Sequence, residues 1–209
     1  MKKVLYILIL SLFSASLNAQ MKVDKNFGFT GKNKIMLDVQ ISDSIRVMTW
    51  DKNEVRVTAS ININENKDNE AYFTNFRDDG SIIAVKAGFK EDYFKGRKDH
   101  NVESEINWVV YMPERADLSI ETINADITIT GKTGPLNIKS ISGFIDVTVP
   151  ENRQASLDFS TISGTVYTNH LLTSLNSRSG IPSRIKNNLN NGGETIKLET
   201  ISGDIFFRK

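Results

Sequence analysis

The chain has 209 residues, with 26 basic and 25 acidic side chains, two histidines and no cysteine. That length accommodates one domain of ordinary size with a sizeable core, and the near-neutral balance removes any general electrostatic case for nucleic-acid binding. Without cysteine there are no disulfides, no thiolate metal sites and no lipid-bearing thiol.

The first segment, "MKKVLYILILSLFSASLNAQ", carries two lysines, an apolar run from Val4 to Phe13, then small and polar residues up to Ala19. This is the layout of a secretory signal peptide. The run is shorter than the roughly 20 residues that span a bilayer, and no second apolar stretch offers a membrane span. Cleavage is expected after Ala19, with a cut after Ser16 as the alternative because Leu17 fits the first cut poorly. Removing residues 1–19 takes Lys2 and Lys3 and no acid, leaving 24 basic against 25 acidic residues, a net charge of −1. The mature part, 20–209, is expected to be a single domain in the periplasm or on the surface of a Gram-negative bacterium, with neither a membrane span nor a lipid anchor.

Period-two alternation dominates the mature part. "KIMLDVQISDSIRVMTW" and "EVRVTASININ" predict strands joined by a turn at Asp51-Lys52-Asn53, so 34–63 reads as a meander. "AYFTNF" and "SIIAVKAGF" flank the tight-turn signal Asp78-Asp79-Gly80. "EINWVVYMP" predicts a further strand ended by Pro113. Residues 34–112 are expected to form a meander that caps the C-terminal half. Trp50 and Trp108 lie in strand patterns and read as core or end-cap residues.

From residue 116 one phrase returns: "LSIETINADITIT" from Leu118, "LNIKSISGFIDVT" from Leu136, "LDFSTISGTVYTN" from Leu157 and "IKLETISGDIFFR" from Ile196. The starts lie 18, 21 and 39 residues apart, and a worn copy, "TSLNSRSGIPSRI" from Thr173, occupies the long gap. In the second, third and last copies the apolar parity slips at Ile-Ser-Gly. One flat strand would then turn half its apolar residues to water, so a corner between two short strands is expected, both facing one core. On that reading Ile141, Ile162 and Ile201 point inward with the residues after them. Gly143, Gly164, Gly180 and Gly203 supply the bend, and Ser142, Ser163, Ser179 and Ser202 stack in a column that begins at Asn124. A unit of about 20 residues predicts an all-β protein in which the meander leads into a single parallel β-solenoid. A hydroxyl column could bind sugar, but a structural ladder is the favoured reading.

The stretches "TWDKNEVRVTA" and "VVYMPERADLSIETINADITITG", with the later Ile-Ser-Gly rungs, resemble the "putative adhesin" family of secreted bacterial β-solenoid domains. The resemblance covers nearly the whole mature chain and departs at Asn124-Ala125 and in the worn copy. It implies a β-solenoid, export and an adhesive or cell-envelope role, and it carries over no catalytic residue.

Chemistry is sparse. His100 and His170 belong to no metal-ligand spacing and read as solvated loop residues. No catalytic residue, metal ligand or cofactor is expected. The candidate contact loop is "GFKEDYFKGRKDHN", where Phe89, Tyr93 and Phe94 sit beside Lys95 and Arg97. Aromatics beside charged donors suit a glycan or a protein of the envelope, although a loop with its rings tucked onto the wall explains them more simply. The functional expectation is a non-enzymatic adhesin-like or scaffolding protein. The alternatives are a periplasmic structural or stress-response component and, further off, a polysaccharide-acting enzyme.

Overall fold

Alternation in sequence becomes alternation in burial. Along "EVRVTASINI" the residues Val55, Val57, Ala59, Ile61 and Ile63 are buried while those between them face outward, as the two-residue period of a strand requires. The structure is a computed structural model describing residues 20–95, 101–171, 177–178 and 183–209; the signal-peptide expectation, Arg97, His100, Ser179 and Gly180 lie outside the described residues.

In chain order the strands are β1 (Met21–Gly28), β2 (Lys34–Val39), β3 (Ile41–Trp50), β4 (Glu54–Ile63), β5 (Tyr72–Asp78), β6 (Ile82–Phe89), β7 (Ser104–Pro113) and β8 (Asp117–Thr130). They continue as β9 (Leu136–Ser142), β10 (Ile145–Thr148), β11 (Ala155–Ser163), β12 (Val166–Thr168), β13 (Ser177–Arg178), β14 (Ser183–Leu189), β15 (Glu194–Ser202) and β16 (Ile205–Arg208). The described residues contain no α-helix, and no helix long and apolar enough to cross a membrane.

Hydrogen bonding joins the strands into one mixed sheet that folds along a corner into two walls. The first wall runs β5-β6-β2-β8-β9-β15-β11-β14-β13, using the first half of β8. The second runs β1-β4-β7-β3-β8-β10-β16-β12, using the second half of β8. One apolar core fills the space between them. Across it the rings of Phe159 and Phe207, one from each wall, lie 5.0 Å apart. Fully burying one such Val, Ile or Phe stabilises by roughly 1.5–3 kcal/mol.

The single parallel β-solenoid is not what the pairing shows. The rungs β2/β3, β8, β9/β10, β15/β16 and β11/β12 are parallel throughout. Antiparallel strands flank them at both ends: β1, β4 and β5 at one, β14 and β13 at the other. Nor is 34–63 a meander, because β7 lies between β3 and β4, parallel to one and antiparallel to the other. A three-residue link spans a gap of one strand as readily as it makes a hairpin, so the turn signal does not distinguish them. The hairpin of β5 and β6 does form at Asp79-Gly80.

The rungs are also out of chain order. The last phrase, β15/β16, sits between β9/β10 and β11/β12, so the C-terminal strand is interior to its wall. The chain reaches this slot through Asn190–Gly193, whose φ values of 48, 73, 79 and 158° are all positive. The Asn190 amide donates to the carbonyls of Glu151 (2.7 Å) and Arg153 (2.9 Å), pinning this arch over the start of β11. The worn copy makes no parallel rung within the described residues: β13 and β14 run antiparallel there.

Trp108 is buried in the core. Trp50 is half-buried, stacked on Tyr111 at 5.1 Å with the Lys52 ammonium over its ring. His170 is not solvated: it is buried, with its ring 4.9 Å from that of Phe207. Its place beside the last rung, which sequence order puts far away, explains the burial.

Candidate functional site

Every Ile-Ser-Gly lies at the corner between the walls, where four rungs stack in register. Asn124 pairs with Ser142, Ser142 with Ser202, and Ser202 with Ser163. The residue before each isoleucine is buried: Thr122, Ser140, Thr200 and Thr161. Three of these hydroxyls bond backbone carbonyls at the bend, Ser140 to Ser142 (2.6 Å), Thr161 to Gly203 (2.9 Å) and Thr122 to Gln40 (3.3 Å). The hydroxyl that holds the bend thus precedes the isoleucine, whereas the sequence alone points to the serine after it.

The glycines stack against one another's backbones. A Cβ on Gly143 would stand 2.2 Å from the Ala125 carbonyl oxygen, and one on Gly203 would stand 2.1 Å from that of Gly143. Gly143 (φ 97°) and Gly203 (φ 154°) also adopt backbone angles that favour glycine. Ala125 ends the column beside β3, which shifts register between Ile41 and Ser44. Carboxylates add support in alternate rungs: Asp126 accepts from the Phe144 amide (3.3 Å) and Asp204 from the Thr165 amide (2.8 Å).

The isoleucines reverse the sequence expectation. Ile123, Ile141, Ile201 and Ile162 point outward and are 46, 48, 47 and 56% exposed. Two consecutive outward residues, Ile and Ser, make the turn, and inward parity resumes at Ile127, Ile145 and Ile205. The corner is therefore a convex apolar ridge. On the first wall it is flanked by Glu121, Lys139 and Glu199 in successive rungs, with Lys139 3.7 Å from Glu121 and Lys197 3.0 Å from Glu199. On the second wall Tyr167 stacks on Phe206 at 5.2 Å, and Phe144 meets the other side of Phe206 at 6.2 Å.

The aromatic loop lies on the same edge, because β6 ends and β7 begins at the corner side. Phe89, Tyr93 and Phe94 pack on one another at 5.0–5.4 Å, and Phe89 meets Tyr72 edge-on at 5.5 Å. The Tyr93 hydroxyl donates to Asp68 (2.8 Å) and accepts from the Asn64 amide (3.2 Å). Phe94 and Lys95 are exposed, and Lys95 bonds Asp92 at 2.6 Å. Among the described residues no three His, Asp or Glu side chains gather as a metal site.

No curated protein matches the sequence. A putative cell adhesion protein from Clostridium sporogenes is similar in structure, with a TM-score of 0.55 at 11% identity over 91% of this chain and 99% of that one. At that identity the likeness concerns the fold. A putative adhesin from Parabacteroides merdae aligns with a TM-score of 0.32 at 11% identity, over 70% of this chain and 63% of that one. Residues 115–207, the stretch that builds all four corners of the ridge, match the Toastrack DUF4097 family.

Proposed function

We propose that this chain is an exported, non-enzymatic adhesin-like or scaffolding protein of the bacterial cell envelope, with residues 1–19 as its signal peptide and 20–209 as one solenoid-like domain. The corner ridge carries the reading. Repetition in register sets like side chains in columns on a convex edge, which offers a long contact surface. Catalysis instead needs different groups converging in a concave site. The fold shared with a putative cell adhesion protein supports the same direction. The corner glycines Gly143, Gly164 and Gly203 are scaffold, Ser142, Ser163 and Ser202 stand in register beside the isoleucines, and the ridge is the working surface.

The aromatic loop is a second contact element for a glycan or envelope protein. Its rings are mostly turned to one another, so Phe94 and Lys95 are the members of the contact set left exposed, with Arg97 as the further candidate. The deciding experiment is protease digestion of intact cells beside a periplasmic control. Digestion with the control protected places the protein outside, where glycan arrays and envelope pull-downs identify what it holds. Protection until the outer membrane is opened, with no specific capture in either assay, would overturn the adhesive reading.

A further inference from the structure

Of the eight large apolar residues that stand exposed among the described ones, four are the corner isoleucines, in one column. Adjacent parallel strands lie about 4.8 Å apart, so the column runs roughly 14 Å. An apolar strip rimmed by charges on one side and by Asn124 and three serine hydroxyls on the other has the make-up of a contact surface.

We propose that the corner ridge is a self-association surface, on which a second copy of this chain docks about a two-fold axis with its rungs running the opposite way. The proposal rests on the ridge being the working surface and names its partner. Self-complementarity carries it. Along the ridge the order is Ile123, Ile141, Ile201, Ile162, and along its flank Glu121, Lys139, Glu199, Ser160. Two ridges face to face bring the same wall of both copies together only when one runs antiparallel to the other. Ile141 then faces Ile201 of the second copy, and Ile123 faces Ile162. On the flank Lys139 faces Glu199 of the second copy, the converse pair forms by symmetry, and Glu121 faces the uncharged Ser160. Opposite charges meet twice and like charges never oppose each other. A closed isologous contact of this kind ends at the dimer.

The ridge is narrow. It buries less than the roughly 1,200 Å² of a standard interface, so the dimer is weak and gains strength where many copies are displayed together. The test is sedimentation equilibrium on the full-length chain, purified after expression with its own N-terminus, from about 10 µM to about 1 mM. The mass is expected to rise from monomer towards dimer. Ile141→Glu and, in another rung, Ile162→Glu should each hold it at monomer with unchanged thermal unfolding, since both side chains face out. Lys139→Glu should weaken the dimer by about tenfold or more, and adding Glu199→Lys should restore it. A wild-type monomer at all concentrations, a dimer indifferent to both isoleucine variants, or a double charge exchange no better than the single one would each overturn the proposal. A monomer that is still captured by a glycan or an envelope protein would overturn it while leaving the adhesive reading standing.

Discussion

Gly164 lies directly over Gly203: a Cβ on the first would stand 2.1 Å from the carbonyl oxygen of the second. The obstacle is backbone of the neighbouring rung, which cannot swing aside as a side chain can. Gly164→Val is therefore expected to lower stability by about 3 kcal/mol or more. Ser163→Ala, at an exposed position one residue earlier, should stay within about 0.5 kcal/mol. Urea unfolding of the two variants checks this, and equal effects would show that the corner is not tightly stacked.

The interior place of the last rung makes the C-terminal residues indispensable to the core. Phe207 is fully buried against Phe159 and His170, and Arg208 makes a two-point ion pair with Asp146 of the neighbouring rung. Phe207→Ala should cost about 3–5 kcal/mol. Because the two rings touch, its effect and that of Phe159→Ala should fall short of additive. Deleting 194–209 empties a slot between two rungs rather than trimming an edge, so cooperative thermal unfolding should disappear. A truncated chain that still unfolds in one sharp transition would show that β11/β12 closes directly onto β9/β10, whose residues pair with the same partners on β15/β16.

Two acids should push stability in opposite directions with pH. The amide of Ile82, then the Ser81 hydroxyl and the Ser81 amide, donate to Asp79 and pull its carboxyl down to about 2. A depressed folded-state value means a contribution present above the unfolded value near 3.8 and lost as pH falls towards 2. Asp79→Ala should remove that part of the acid sensitivity, read from urea midpoints through this window.

Asp117 behaves conversely. Burial, with the Glu194 charge adding to it and Lys34 opposing, raises its carboxyl above the usual range. The folded state then holds the proton more tightly than the unfolded one, so stability declines as pH rises through the folded value. Asp117→Asn should stabilise the protein at neutral pH and have little effect where the acid is already protonated.

Tyr93→Phe keeps the aromatic cluster but removes the hydroxyl shared by Asp68 and Asn64. A loss of about 1 kcal/mol is expected. It should appear as faster amide exchange in 64–71 with the core rungs unchanged; uniform acceleration across the chain would contradict a local clamp.

Much of the architecture is legible in the residues. Period-two alternation specifies strands because successive side chains in extended backbone take opposite faces, and the repeated parity slip marks where each strand leaves its wall. The crowding that demands glycine at the corner arises from stacking identical bends. Parity counting misplaces the isoleucine because it assumes one residue per face. The corner spends two consecutive residues outward, and no periodicity reports that.

By itself, then, the sequence determined an all-β chain with a recurring corner, because local backbone geometry and burial pattern are written residue by residue. Only the tertiary structure decided which rung stacks on which, that β7 separates β3 from β4, and that four isoleucines stand in one exposed column. The physical reason is degeneracy: near-identical rungs offer near-identical edges and apolar faces. Their order is therefore set by the links between them and by the packing of the whole stack, as where Asn190–Gly193 arches over β11 to place the last rung inside.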